Sequence, residues 1–291
     1  MIPAPFDYLK PRTLDEAIAL LDKHGEDAKL LAGGQSLIPA MRFRLATPAT
    51  LIDISHLSAL QYIKEKDGQL TIGALTHEMA LEESSVVASS YRLLSDTAKV
   101  IADPLVRNRA TVGGNLAHAD PANDHPATML AYGAVLVARG PKGERTIPID
   151  SFFTGLFENA LEKNEILVEI RIPKPAKGSG GAYLKLERKV GDYATAAVAV
   201  NLLLSGDTIQ EARIGLTNVS SIPMRAKNAE QALRGKKISA ETLEAAGRAA
   251  AGECDPSADL RGTVEYKRDV TRVLTKRAVL SAAERAKGAQ T

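Results

Sequence analysis

The sequence contains Leu30-Leu31-Ala32-Gly33-Gly34-Gln35-Ser36 and Thr111-Val112-Gly113-Gly114-Asn115, two stretches that follow the same plan. In each, a short apolar strand is predicted to lead into Gly-Gly, and a side-chain amide follows. Because glycine carries no Cβ, backbone N–H groups in such a turn can face a ligand, and successive N–H groups form a concave site for an anion such as phosphate. The plan therefore suggests a nucleotide-type ligand, although two tight turns are the more frequent outcome of such a pattern.

The residues that flank these stretches add to the phosphate interpretation. Leu37-Ile38-Pro39-Ala40-Met41 is predicted to start a helix, whose positive dipole end would face the first Gly-Gly. Gln35, Ser36 and Asn115 can hydrogen-bond phosphate or ribose oxygens. Neither stretch matches the Walker A or G-x-G-x-x-G pattern, which makes kinase and Rossmann interpretations weak.

Charged side chains lie on both sides of the second Gly-Gly. Two His and two Asp follow it within eight residues: His118, Asp120, Asp124 and His125. Such a cluster is consistent with a metal site, but a polar loop or ligand cradle is the favoured interpretation because these residue types are common in loops. Arg107 and Arg109 precede it and can pair with phosphates, although a solvated charge pair beside a turn is the more frequent outcome.

A second polar stretch lies farther along the chain. Lys185, Arg188 and Lys189 alternate with or follow leucines and are predicted to form an exposed strand face. Tyr193 follows them in a run of small residues. It can stack on a planar ligand, but a single packed tyrosine is the favoured alternative.

The composition excludes several classes of function. The chain has 291 residues, with 37 Lys+Arg against 35 Asp+Glu, so its net charge of +2 gives no footprint for nucleic acid. It has one cysteine, Cys254, which rules out a disulfide framework and any all-cysteine metal site within the chain. No apolar run approaches the roughly 20 residues that span a bilayer, and the first residues lack the basic and apolar blocks of a signal peptide. A cytoplasmic protein without a transmembrane segment is expected.

The Pro- and Gly-rich run Pro173-Lys174-Pro175-Ala176-Lys177-Gly178-Ser179-Gly180-Gly181 reads as a linker and divides the chain. Short strands and helices alternate before it. After it, Ser205-Gly206-Asp207 predicts a hairpin between two strands, and the rest of the chain is predicted to be helical. Mixed strands with segregated helices indicate an α+β protein.

At the two Gly-Gly stretches the sequence resembles the flavoprotein subunits of the molybdenum hydroxylases, the xanthine dehydrogenase family. The segment 32–46 resembles the first flavin signature, and the second combines Ile101-Ala102-Asp103-Pro104 with Thr111–Asn115, Asp120-Pro121 and Asp124. Lys185, Arg188, Asp192-Tyr193-Ala194, Gly215-Leu216-Thr217-Asn218-Val219 and Arg261-Gly262 resemble the family's C-terminal part. The resemblance covers essentially the whole chain in order, and it is closest to the medium, FAD-binding subunits of carbon monoxide dehydrogenases. Gln35 departs from them, because they more often carry His at this position.

The resemblance implies a fold and a site. The fold would be a two-part FAD-binding domain of the vanillyl-alcohol-oxidase (PCMH) type over residues 1–176, with subdomains of about 1–56 and 57–176. A smaller α/β domain over residues 177–291, with a sheet packed on helices, would follow. Residues 32–36 and 111–115 would hold the FAD pyrophosphate, Asp124 would help bind the cofactor, and Tyr193 would lie beside the isoalloxazine ring. No side chain of this chain would act as a catalytic acid or base, and none would bind a metal.

The resemblance also implies partners. The chain would be the FAD subunit of a molybdenum-containing dehydrogenase, assembled with a small 2Fe–2S subunit and a large molybdopterin subunit as a dimer of heterotrimers. With one cysteine it cannot hold the clusters itself, so it would pass electrons from the small subunit to an external acceptor. Carbon monoxide is the expected substrate of the complex, and an aldehyde or N-heterocycle is the alternative. A stand-alone FAD oxidase and a nucleotide-binding regulatory subunit are further alternatives.

Overall fold

A computed structural model describes residues 2–288; residues 1 and 289–291, at the outer ends of the two predicted domains, lie outside it. The described chain forms three successive units, each with a sheet of its own and helices packed against it. This arrangement confirms the expected fold class, a two-part first domain followed by a sheet packed on helices. None of the helices within residues 2–288 combines the length and the apolar character needed to cross a membrane.

The first unit is a parallel three-stranded sheet with strand order β1-β3-β2. Its elements are β1 (Asp7–Leu9), α1 (Leu14–His24), β2 (Ala28–Leu31), α2 (Leu37–Arg42) and β3 (Thr50–Asp53). Helix α1 begins where the sequence predicts it, because the Thr13 side chain accepts a hydrogen bond from the Glu16 N–H. The first Gly-Gly stretch directly follows β2 and therefore lies at the carboxyl edge of this sheet.

The second unit is an antiparallel five-stranded sheet with strand order β4-β5-β10-β6-β7. Its strands are β4 (Ile63–Lys66), β5 (Gln69–Gly73), β6 (Val135–Gly140), β7 (Gly143–Pro148) and β10 (Ile166–Pro173), with a small pair β8 (Phe153–Gly155) and β9 (Glu158–Asn159) beside it. Six helices separate β5 from β6: α3 (Glu78–Glu83), α4 (Ser85–Ser90), α5 (Arg92–Val100), α6 (Pro104–Arg107), α7 (Val112–His118) and α8 (Asp124–Tyr132). The second Gly-Gly stretch and the residues after it belong to this helical insertion.

The third unit is an antiparallel four-stranded sheet in chain order, followed by three helices. Its elements are β11 (Ser179–Leu186), β12 (Ala196–Ser205), β13 (Thr208–Thr217), β14 (Met224–Arg225), α9 (Lys227–Leu233), α10 (Ala240–Glu253) and α11 (Val264–Gly288). The predicted hairpin at Gly206 joins β12 to β13. The long helix α11 buries a stripe that includes Leu274, Ala278 and Ala282 against this sheet, as its apolar spacing predicts.

The predicted linker is shorter in the structure than in the sequence analysis. Only residues 174–178 lie between strands, because Gly180 and Gly181 belong to β11. A Cβ on Gly180 would lie 2.0 Å from the carbonyl oxygen of Ala282, and one on Gly181 would lie 2.8 Å from the Leu93 Cβ. These two glycines therefore do not mark flexibility; they let a helix approach each face of the strand.

The second and third units share one hydrophobic core. Tyr183 and Ala199 of the third unit are buried in the same cluster as Leu93 and Leu94 of α5. At the surface, the Arg285 guanidinium near the end of α11 pairs with Asp96 of α5. The predicted boundary after residue 176 thus lies in a loop between strands, while the side chains on its two sides pack together.

The close approach at Gly180 leads to a stability prediction. We expect Gly180→Ala to lower the free energy of unfolding by about 1–3 kcal/mol, because the added methyl group overlaps backbone atoms of α11 that cannot turn away. As a control, Gly252→Ala lies in α10 with no heavy atom within 4 Å of its Cβ and should stabilise by about 0.5–1 kcal/mol through helix propensity. Urea denaturation of both full-length variants measures the two changes, and equal effects would contradict the packing argument.

Candidate functional site

The structure brings the two Gly-Gly stretches into direct contact. We call residues 32–36 the first glycine segment and residues 111–115 the second glycine segment. A Cβ on Gly33 would lie 2.1 Å from the carbonyl oxygen of Arg109, and one on Gly114 would lie 3.9 Å from the Ala32 Cβ. Any side chain at position 33 would therefore force the two segments apart. Glycine at this position is explained by the contact between the segments.

The first glycine segment offers a row of unused hydrogen-bond donors. Gly34 has φ of +76°, a left-handed conformation that turns the chain between β2 and α2. Within residues 2–288, the backbone N–H groups of residues 33–36 have no hydrogen-bond acceptor, and the Ser36 hydroxyl at the start of α2 makes no capping bond. Gln35 is exposed beside them. Successive free N–H groups in a turn form the concave site that the sequence predicts for phosphate oxygens.

The second glycine segment differs from its prediction. No strand precedes it; instead Thr111 is the N-cap of α7, and Gly113 and Gly114 form the first helical turn. The reason is local, because the Thr111 side chain accepts a hydrogen bond from the Gly114 N–H at 3.2 Å. The threonine three residues before Gly114 is the sequence signal that would have revealed this helix.

The backbone donors of the second glycine segment are used within the protein. The N–H of Val112 donates to Thr76 O at 3.0 Å, and that of Gly113 donates to Ala74 O at 2.9 Å. The Asn115 N–H closes the helical turn on the Thr111 carbonyl oxygen. A Cβ on Gly113 would lie 2.6 Å from Ala74 O, so this glycine serves packing. The two segments share a sequence plan, but the N–H groups of residues 112–115 are used within the protein whereas those of residues 33–36 are free.

The second glycine segment contributes a side chain to the site. The Asn115 Oδ1 atom is buried and has no donor in the part of the chain that the structure describes. A buried acceptor without a partner is costly, and a ligand hydroxyl would satisfy it. Free N–H groups for phosphate oxygens and a buried acceptor for a hydroxyl together fit a nucleotide cofactor with sugar-like hydroxyl groups.

Asp124 lies at the start of α8 with both carboxylate oxygens occupied. The Tyr183 hydroxyl donates to Oδ1 at 2.6 Å, and the Lys185 ammonium donates to Oδ2 at 3.0 Å and to the Val100 carbonyl oxygen. Burial raises the pKa of Asp124, and the neighbouring Lys185 opposes that rise. The side chain of Lys185 is 3% exposed, so the prediction of an exposed basic strand face was wrong for this residue. Sequence alternation cannot show that a buried carboxylate meets the lysine.

Tyr193 lies on the loop between β11 and β12 and is 44% exposed. The loop is linked to the residues after the second glycine segment through Asn218, whose backbone N–H donates to Pro121 O at 2.8 Å. The side-chain amide of the same residue donates to Ala194 O at 2.5 Å. Tyr193 is therefore an exposed aromatic ring beside the residues that follow the second segment. The packed-tyrosine alternative does not describe it.

The remaining polar residues near the second glycine segment are either bonded to other protein groups or exposed to solvent. Arg107 is buried and donates to Glu82 and to Ile101 O, which corrects the expectation of a solvated pair, whereas Arg109 is exposed. His125 is buried against Glu78, with 2.6 Å between Nε2 and Oε2. Across residues 2–288, no three His, Cys, Asp or Glu side chains converge in a metal-binding arrangement.

Cys254 ends α10 as a buried thiol. It donates a hydrogen bond to the Ala250 carbonyl oxygen, and burial raises the pKa of the thiol to about 11. A thiol of this kind is not a reactive nucleophile at neutral pH, as the sequence predicts.

Two family models match successive parts of the chain. Residues 4–175 match the FAD binding domain in molybdopterin dehydrogenase, and residues 181–282 match the CO dehydrogenase flavoprotein C-terminal domain. The chain is 47% identical to the carbon monoxide dehydrogenase medium chain of Hydrogenophaga pseudoflava, over 97% of this chain and 98% of that one. It is 44% identical to the medium chain of Afipia carboxidovorans, over 99% and 100% of the two chains. A solved structure is also similar: the carbon monoxide dehydrogenase from Hydrogenophaga pseudoflava that lacks the Mo-pyranopterin moiety. One of its chains superposes on this chain with a TM-score of 0.96 at 49% sequence identity. The match covers 98% of this chain and 99% of that one.

The left-handed glycine of the first segment gives a prediction with a matched control. Gly34 and Gly68 have φ of +76° and +71°, so Gly34→Ala and Gly68→Ala should each cost about 1 kcal/mol of stability. Gly68 lies in the β4–β5 hairpin, and only Gly34 orients the free N–H groups. We expect Gly34→Ala to weaken FAD binding at least about tenfold and Gly68→Ala to leave it unchanged. FAD titration measures this, and equal affinities in the two variants would contradict an N–H cradle.

The buried pair of Lys185 and Asp124 gives a second prediction. Lys185→Met should lower the free energy of unfolding by about 3–5 kcal/mol, because it leaves the Asp124 carboxylate buried without its cation. Lys189→Met, at an exposed position four residues later, should change it by less than about 0.5 kcal/mol. Denaturant unfolding compares the two variants. A cost below about 1 kcal/mol for Lys185→Met would mean that the carboxylate is not held by this lysine.

Proposed function

The chain belongs to the FAD-binding flavoprotein subunits of the molybdopterin dehydrogenases, and we propose that it is the medium subunit of a carbon monoxide dehydrogenase. Similarity over almost the whole length to two medium chains of such enzymes carries this proposal. The same relatives make the chain an oxidoreductase subunit that binds FAD. Bound FAD supplies the electron acceptance and donation of the subunit.

We propose that the residues of the site divide the cofactor between them. The free N–H groups of residues 33–36, with Ala32, Gln35 and Ser36, hold the pyrophosphate, and the Asn115 amide binds a hydroxyl of the ribityl or ribose group. Arg109, Ala110 and Gly114 form the wall against which the first glycine segment rests, and Thr111 and Gly113 hold the start of α7 in place behind it. Val112 is buried behind that wall.

Asp124 and Tyr193 complete the proposed site where the second unit meets the third. Asp124 acts through Lys185 and Tyr183, because its own oxygens are occupied. Tyr193 covers the isoalloxazine ring, and its exposed face is available for stacking. In this proposal the residues of the site bind and place FAD, and none of them acts as an acid or base in substrate oxidation.

The chain requires partner subunits for the proposed reaction. A medium chain of a multisubunit dehydrogenase implies a small and a large partner, and the single buried cysteine leaves no ligands here for an iron–sulfur cluster. We propose a dimer of heterotrimers in the cytoplasm in which FAD passes electrons to an external acceptor. The two-domain division, 1–176 with subdomains of about 1–56 and 57–176, and 177–291, is part of the same proposal.

One residue favours a second candidate substrate. Gln35 stands in the first glycine segment where the resemblance places His in most carbon monoxide dehydrogenases, and this departure keeps an aldehyde or N-heterocycle dehydrogenase as the alternative. Against a stand-alone oxidase, the residues after the FAD-binding part match the CO dehydrogenase flavoprotein C-terminal domain. A regulatory nucleotide-binding subunit is disfavoured by the same match.

The test is co-expression of the chain with the subunits encoded beside it. Acid denaturation of the purified complex should release one noncovalent FAD per chain, identified by chromatography. Anaerobic addition of carbon monoxide should bleach the flavin absorbance of the complex but not that of the chain alone. Bleaching only by an aldehyde or N-heterocycle would move the assignment to the alternative, and flavin reduction by an organic substrate in the isolated chain would contradict the subunit assignment.

A further inference from the structure

Arg261 joins the Tyr193 loop to the segment before the last helix. Its Nη2 atom donates to Asp192 Oδ1 at 2.7 Å, and its guanidinium carbon lies 5.8 Å from the centre of the Tyr193 ring. The same Asp192 oxygen accepts the backbone N–H of Tyr193 at 2.8 Å. One carboxylate oxygen therefore links the arginine to the tyrosine backbone, and the guanidinium lies within cation–π distance of the ring.

The contact between Arg261 and Asp192 is well sheltered. The Asp192 side chain is 9% exposed, and the Arg261 guanidinium holds the pKa of this carboxyl at about 2. Arg188 approaches the other oxygen of the same carboxylate at 3.1 Å, but its side chain is 50% exposed and makes no recorded contact with the tyrosine ring. The two arginines bind different oxygens of the Asp192 carboxylate, and of the two Arg261 also reaches Tyr193.

Arg261 is anchored to the body of the third unit. Its backbone N–H donates to Asp259 Oδ1 at 2.8 Å, and Asp259 Oδ2 accepts from the Lys267 ammonium at 2.9 Å. Lys267 is 2% exposed in the first turns of α11. The backbone of Arg261 is thus tied through Asp259 to the buried Lys267 of α11.

The other anchors of the loop hold mainly its backbone. Its tip residue Val190 is 94% exposed. Gly191 has φ of +82° and lies so close to Ala102 that a Cβ would be 2.9 Å from the Ala102 carbonyl oxygen. The base is closed by the Thr195 N–H on Leu186 O. Among the described residues, the guanidinium of Arg261 is the group that lies over the Tyr193 ring.

We propose that Arg261 is a positioning residue that, through Asp192, holds Tyr193 against the flavin and so determines how long FAD stays bound. The inference rests on the proposed function, since it requires FAD in the site. It assigns to the segment before α11, remote in sequence from both glycine segments, a part in retaining the cofactor.

The experiment measures FAD release from the assembled complex. We expect Arg261→Gln to speed FAD dissociation about fivefold and to raise the fluorescence of the bound flavin, because an aromatic ring stacked on isoalloxazine quenches it. Arg261→Lys keeps a cation near Asp192 and should restore part of both properties. Arg188→Gln, the matched control on the same carboxylate, should change the rate by less than about twofold.

Two further variants separate positioning from a general loss of structure. Asp192→Asn removes the charged acceptor of Arg261 and should therefore cause the same faster FAD dissociation and higher flavin fluorescence as Arg261→Gln. In a Tyr193→Leu background, Arg261→Gln should cause no additional change, because the residue through which it acts is gone. An unchanged rate in Arg261→Gln, or an equal effect with and without Tyr193, would overturn the inference. A parent complex that contains no FAD would instead contradict the proposed function.

Discussion

A side chain at position 33 would collide with the carbonyl oxygen of Arg109, and the architecture of the site depends on the absence of that side chain. Two segments that lie more than seventy residues apart meet there through their backbones. In the second glycine segment, the N–H groups of residues 112–115 bond to its own helix and to the residues that follow β5, and these bonds hold the segment in place. The first glycine segment rests on this wall and can keep its N–H groups free for a ligand, which is costly without support. The contact thus explains why the two glycine segments differ although their sequences are similar: the first offers free N–H groups, and the second supports it.

The third unit contacts the second through a buried charge pair and through backbone hydrogen bonds. Lys185 reaches across to Asp124 and Val100, and Asn218 ties its own strand end to Pro121. Gly215 allows β13 to lie against α8, where a Cβ would be 2.1 Å from Ala127 O. These contacts are polar or backbone contacts rather than apolar surface alone, so they fix one orientation of the two parts.

The sequence correctly predicted the elements that short-range interactions determine. The capping threonine of α1, the turn glycines of the hairpins and the apolar stripe of α11 all gave the right elements, and the resemblance supplied the fold class and the cofactor. The errors arose where a distant partner decides the outcome. Lys185 appeared solvent-facing because the sequence does not show Asp124 opposite it. Gly180 and Gly181 resembled a linker because the helices that need their missing Cβ atoms lie elsewhere in the chain. The role of Arg261 has no local signature at all.

The pairing of Arg285 with Asp96 spans 189 positions, and helix α11 completes the core that β11 opens. A nascent chain emerges from the ribosome with the glycine segments well before β11 and β12. The second unit is therefore synthesised before Tyr183, Ala197 and Ala199, which belong to its buried core. That core can close only once these residues of the third unit have left the ribosome.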